Sequence, residues 1–184
     1  MCEKRSVSGL THARCSSPWG MDGLVSGFYY SGLIKKLIST YKYKYAKDLM
    51  SPLFELLVSY GSLEFVCDKN PFTVTHVPLH KSRENKRGFN QAKLLADAFA
   101  DYFNWKHMCL LVRKKNTIPQ ASLNGKERRK GMNGAFRMVG EINTNEKSIL
   151  LIDDVWTTGT TMRECAKVLK RSGAKEVWGL VLAS

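Results

Sequence analysis

Asp153 and Asp154 stand side by side at the end of the apolar run "ILLI", and Thr157, Thr158, Gly159, Thr160 and Thr161 follow within a few residues. Two neighbouring carboxylates repel each other, so a ligand that rewards the pairing is needed: a sugar diol that donates hydrogen bonds, or a divalent cation. The hydroxyl-rich turn asks for the opposite charge. Gly159 lets backbone approach a ligand closely, and the threonines add hydroxyl donors to the free N–H groups of a following helix. That turn is a phosphate cradle, with Val155 inside the same stretch. A sugar carrying a phosphate at one end and vicinal hydroxyls at the other satisfies both halves. A metal-dependent phosphatase starting on "DD" would want further acidic residues at later strand ends, and the strand after "GAKEV" offers none.

Such a turn works only when a sheet holds it. Ligands of open parallel sheets bind beyond the carboxyl ends of the strands, where helix N-termini converge. The chain supplies suitable elements: "GLVSGFYYSG", "FTVTHVP", "MCLLVRK", "KSILLID" and "EVWGLVLA" read as strands. Between them "LIKKLISTY", "DLMSPLFELLVSY" and "NQAKLLADAFADYF" read as helices, and Ala92, Leu95, Ala96, Phe99 and Phe103 recur at helical spacing on one face of the last. A further helix puts Met162, Cys165, Ala166 and Leu169 on one side, which predicts a buried Cys165. Residues 114 to 134, polar and basic with Pro119, read as a loop leading into a short helix. Strands alternating with helices predict an α/β fold, a Rossmann-like parallel sheet with helices on both faces. "ILLI" is then the buried strand, with the two acids emerging at its end.

Composition sets the bounds. The chain has 184 residues, 43% of them apolar and 24% charged, as in an ordinary soluble domain. It holds no apolar run of membrane-spanning length and no signal-peptide core, so no membrane partner is expected. Five cysteines at irregular spacing argue against a disulfide framework and for the cytoplasm. The net charge of +13, from 29 Lys and Arg against 16 Asp and Glu, suggests a polyanionic partner, with solubility as the plainer reading.

Along its thirteen positions "ILLIDDVWTTGTT" resembles the 5-phosphoribosyl-1-pyrophosphate (PRPP) binding motif of type I phosphoribosyltransferases. "VPLHKSRENKRGFNQAKLLA" and "RKKNTIPQASLNGKERRKGMNGAF" extend the likeness to the competence-protein-F, or ComF/GntX-like, family over residues 24 to 183. The resemblance implies a type I phosphoribosyltransferase fold for residues 24–184, binding PRPP or a ribose 5-phosphate compound with Mg²⁺, transferring the phosphoribosyl group to an unidentified acceptor and releasing pyrophosphate. It assigns Asp153, Asp154, Arg128 and Arg87 to catalysis and residues 153 to 161 to PRPP. Thr117, Gln120, Arg128 and Asn133 fall on a loop that closes over the ligand. Arg83 and Lys86, taken singly, read as solvated loop charges. Purine-salvage relatives carry Asp where this chain has Thr157, which disfavours purine acceptors. Glutamine amidotransfer is disfavoured as well, since the chain is too short for the additional nucleophile domain.

Two stretches keep two readings each. Cys2, His12 and Cys15 form C-x9-H-x2-C, three ligands of a zinc module whose first cysteine would precede Met1; residues 1–23 are then a partial zinc-ribbon-like segment, or the three residues are incidental. "STYKYKYAK" interleaves Tyr41, Tyr43 and Tyr45 with Lys42 and Lys44, either a platform for single-stranded DNA or a helix end with packed tyrosines and wet lysines. The first option fits a non-catalytic or regulatory protein associated with DNA uptake.

Overall fold

A computed structural model describes residues 9–41, 50–60, 63, 71–115, 132–140, 144 and 147–184. The strands expected to be buried are those richest in aliphatic and β-branched residues, and they form the centre. Strand β6 (Ser148–Val155) lies between β7 (Glu176–Ala183) and β2 (Thr73–His76), with β1 (Gly23–Phe28) and β3 (Lys106–His107) at the edges, in the order β1-β7-β6-β2-β3. Every pairing in this sheet is parallel, as expected when both faces are covered. From Val177 to Ala183, β7 is buried at every position, which explains its unbroken apolar run.

One face is covered by α1 (Gly32–Tyr41), α2 (Met50–Tyr60) and α4 (Gln91–Phe103), which bring Ile38, Leu57, Leu95 and Phe99 against Val74, Leu150, Ile152 and Leu180. The other face carries α5 (Thr160–Arg171), where Met162, Cys165, Ala166 and Leu169 meet Ile149, Leu151, Val177 and Val181. Cys165 is fully buried there, as its helical spacing predicts, and burial raises its thiol pKa well above the ordinary value. The architecture is the α/β fold expected from the alternation of strands and helices. Among the described residues no helix is long and apolar enough to cross a membrane.

Two expectations change in detail. "MCLLVRK" does not join the main sheet: β4 (Leu111–Arg113) pairs antiparallel with β5 (Phe136–Met138) in a separate two-stranded ribbon that packs on the α5 side. The edge of the main sheet is instead the two-residue β3: Met108 N still donates to Val74 O, but Leu110 N donates to the Thr75 hydroxyl rather than to a backbone carbonyl, and the ladder ends there. "KSRENKR" is a helix, α3 (Lys81–Arg87). His80 accepts from Ser82 N at its start, and Gly88 at φ 85° ends it in the left-handed conformation that favours glycine.

Residues 9–22 run onto the sheet. Leu10 bridges Gly23, Thr11 Oγ1 donates to Met21 O, and the Asp22 carboxylate accepts from Val177 N at 2.7 Å while pairing with Lys170 Nζ at 2.8 Å.

Candidate functional site

The carboxyl ends of β6 and β2 and the N-terminus of α5 converge on one place. Strand β6 runs further than its apolar run suggests, since Asp153 pairs in register with Val181 and Val155 with Ala183. The two acids are therefore held on regular, half-buried strand rather than on a loop beyond it. Asp153 Oδ1 accepts from Asp154 N at 2.9 Å, which fixes the first carboxylate over the strand's end.

After Val155 the chain turns through Trp156, Thr157 and Thr158 to Gly159 and enters α5. Asp153, Val155 and the run from Trp156 to Met162 line an open recess. Gly159 stands at the N-cap of α5 at φ 67° and has no side chain to cap the helix, and the first-turn residues Thr160 to Met162 line the recess. Thr157 and Thr158 are exposed, and the Thr158 and Thr160 hydroxyls lie 3.0 Å apart. Helix N–H groups, hydroxyls and the positive end of a helix dipole are the groups from which an anion site is built.

The requirement for glycine at position 159 has a second source that the sequence does not reveal. A Cβ there would sit 2.1 Å from Cζ2 of Trp156, so the indole occupies the space a side chain would need. Arg163 in turn stacks over the same indole at 5.2 Å from its centroid. Trp156 shapes the turn from beneath, and only its contact with Gly159 exposes that role.

Basic side chains approach from two elements. Arg87, at the end of α3, donates from Nη1 to Gln91 Oε1 at 3.2 Å. Arg83, expected as a solvated loop charge, is half-buried on α3; burial and then the Arg87 charge lower its pKa. Arg113 on β4, which opens the stretch "RKKNTIPQ" but receives no role from it, also has its pKa lowered, first by burial and then by Arg83, while Asp153 opposes the shift. Arg83 is thus within electrostatic reach of both Arg87 and Arg113, and Arg113 of Asp153, which gathers positive charge beside the acid pair. Gln91 Nε2 is buried with no hydrogen-bond partner among the described residues.

Within "RGFNQ", Asn90 has a structural role. Its Oδ1 accepts from Ala92 N at 3.0 Å and Lys93 N at 3.4 Å, capping α4, while Nδ2 donates to Val77 O at 3.1 Å. Val77 N donates to Ile152 O, so the motif is tied to the strand that carries the acids. On β2, His76 is paired in register with Ile152, and burial, then the neighbouring His107, lowers its pKa to about 4.

Thr117, Gln120 and Arg128 lie outside the described residues, as do Cys2 and residues 42 to 49. Asn133 is described and exposed at the foot of that basic segment, where Lys115 Nζ donates to its carbonyl at 3.0 Å. The foot is fastened to α5, since Gly134 N donates to Glu164 Oε1 at 3.0 Å. His12 precedes a short 3-10 turn (Ala13–Cys15) that ends on Cys15, with Cys15 N donating to His12 O.

Comparisons with known proteins identify the family. Residues 86–184 match the model of the phosphoribosyl transferase domain. Competence protein F of Haemophilus influenzae is 36% identical over 121 residues, 62% of this chain and 52% of that protein. DNA utilization protein YhgH of Escherichia coli O157:H7 is 31% identical over 186 residues, covering 94% of this chain and 78% of the relative. Competence protein ComFC of Streptococcus pneumoniae is 33% identical, covering 82% of this chain and 63% of the relative. The chain thus spans about half to four-fifths of the length of these relatives, and with its parallel sheet and acid–threonine turn it belongs to the ComF family of type I phosphoribosyltransferase-like proteins.

Proposed function

We propose that this protein binds PRPP, or a related ribose 5-phosphate compound, and transfers the phosphoribosyl group to an acceptor with release of pyrophosphate. One observation carries the reading: the uncapped N-terminus of α5 stands directly behind an acid pair held on the end of β6. The threonine turn from Thr157 to Thr161 binds the 5-phosphate through N–H and hydroxyl donors. Asp153 and Asp154 accept from the ribose hydroxyls and steady the ring while positive charge builds on it. In the transfer the C1–O bond breaks, pyrophosphate leaves with the electron pair, and the acceptor forms a new bond to C1 and gives up its proton.

Negative charge grows on the departing pyrophosphate, and Arg87 and Arg128 are the groups we assign to neutralise it. The half-buried cluster of Arg83, Arg87 and Arg113 supports that assignment for the α3 side. The segment carrying Thr117, Gln120 and Arg128 excludes water when it closes, with Asn133 at its foot. The donor set also fits Mg²⁺: carboxylates and hydroxyls are hard oxygen donors, and Asp153 and Asp154 are the residues that would hold the ion. When bound, Mg²⁺ neutralises charge on the pyrophosphate.

Calorimetry tests the site. Replacing Asp154 by Asn weakens PRPP binding by about 10- to 100-fold, the range for a hydrogen bond to a charged group, and leaves inorganic phosphate unaffected because only PRPP presents a diol. Equal losses for the two ligands would show that the acids do not hold the ribose hydroxyls. A screen for pyrophosphate release across acceptors then identifies the second substrate.

A second reading, a regulatory PRPP-fold protein that also binds single-stranded DNA, draws on the +13 charge and on relatives named for competence and DNA utilization. The bases would stack on Tyr41, Tyr43 and Tyr45.

A further inference from the structure

We propose that His76, His107 and Cys109 form a binding site for one divalent ion of the zinc class, at the sheet edge next to β6 and separate from the phosphate cradle. The three residues come from the ends of two neighbouring parallel strands. Val74 is in register with His107, so His76 stands two residues further along β2, and Cys109 follows β3 by two residues. Their ligand atoms all lie within 4.8 Å of one another, with His76 buried, His107 half-buried and Cys109 exposed.

The two imidazoles already face each other through ring nitrogens. His76 Nδ1 and His107 Nε2 are 3.0 Å apart, with the rings inclined at 58°. The tautomers follow from the next contact. His107 Nδ1 lies 2.6 Å from Asp97 Oδ1, and an ionised carboxylate only accepts, so Nδ1 of His107 carries a proton and, in the neutral ring, Nε2 offers its lone pair. The second Asp97 oxygen takes Lys93 Nζ at 2.9 Å, which holds the carboxylate still. In the metal-free protein one proton, on His76 Nδ1, bridges the two rings. A metal ion takes the place of that proton.

A carboxylate holding the far nitrogen of an imidazole is the arrangement that orients histidine towards a metal. Bonds of about 2.0–2.1 Å to nitrogen in a tetrahedral site set the two nitrogens about 3.3 Å apart, a small widening of the present contact. Cys109 is exposed just beyond β3, between Met108 and Leu110, whose N–H groups bond to β2, and its sulfur already lies within 4.8 Å of the two ring nitrogens. Two imidazoles and one thiolate suit a borderline ion such as Zn²⁺ rather than Mg²⁺ or Ca²⁺ and leave a fourth position for water. Binding replaces the Cys109 thiol proton by the metal, and His76 passes to its other neutral tautomer, so one proton is released per ion. The ion would fasten β3, a strand of only two residues, to β2 and through Asp97 to α4.

The metal-free full chain is titrated with Co²⁺, whose thiolate charge-transfer and d–d bands report sulfur ligation and tetrahedral geometry, and Zn²⁺ is then added in competition. The expected result is a tetrahedral spectrum with thiolate ligation that Zn²⁺ displaces. The exposed Cys109→Ser loses the charge-transfer band, His107→Ala weakens binding at least ~100-fold, and Asp97→Asn weakens it ~10- to 100-fold. Far-UV circular dichroism checks that each variant folds. Cys15→Ser, which removes one residue of the Cys2, His12, Cys15 pattern and leaves His76, His107 and Cys109 in place, leaves the band unchanged. A band that survives Cys109→Ser, a band lost in Cys15→Ser, or no saturable Co²⁺ binding overturns the proposal.

Discussion

Replacing Asn90 by Ala tests whether "RGFNQ" is in part a structural brace. Asn90 is only 4% exposed, and its amide makes three bonds: two to the first-turn N–H groups of α4 and one to the Val77 carbonyl. Losing the cap costs about 1 kcal/mol. The Val77 carbonyl, left without its side-chain donor in the interior, adds about 1–3 kcal/mol. Together the change destabilises by about 2–4 kcal/mol, a large share of the ~5–15 kcal/mol typical of a domain, and lowers Tm by about 5–15 °C. Asn90→Ser separates the two parts, because a hydroxyl keeps the cap but falls short of Val77, so it recovers about 1 kcal/mol. Urea denaturation at constant m-value is the measurement. A loss below about 0.5 kcal/mol for Ala, or identical losses for Ala and Ser, would refute the reasoning, since the bonds would then carry no net stability.

Gly159→Ala drives a Cβ to 2.1 Å from the Trp156 ring at φ 67°, so the indole must move; calorimetry is expected to show phosphate and PRPP affinity reduced more than tenfold with circular dichroism unchanged, and retained affinity would free the cradle from dependence on that contact. Lys42→Glu with Lys44→Glu distinguishes the two functional readings. With the charge serving the ligand and solubility, filter binding of single-stranded DNA is weak in the parent and PRPP affinity is intact in the variant. Submicromolar, salt-sensitive DNA binding that PRPP does not displace and the double change abolishes would favour the nucleic-acid reading.

What the sequence determined by itself was local. "ILLIDDVWTTGTT" encodes a buried strand, a turn and a helix start, because an aliphatic run, a glycine and hydroxyl residues each have few ways to satisfy their backbone. The spacing of Met162, Cys165, Ala166 and Leu169 foretold a buried helix face for the same reason, and the alternation of such segments implied the parallel sheet. Partners far apart in the chain were beyond that logic. "MCLLVRK" has strand chemistry, yet only the path of the chain after His107 decides that it pairs with Phe136–Met138 instead of the main sheet. "KSRENKR" lacks an apolar face, so its helix is legible only from the ends that His80 and Gly88 provide. Asn90 meets Val77, Trp156 covers Gly159, Arg113 joins Arg83 and Arg87, and His76 meets His107 because parallel pairing brings strand ends from distant positions to one side of the sheet. Periodicity ranks which face of an element is buried, whereas tertiary packing selects which side chains from different elements share that burial, and the chemistry of this site depends on the second.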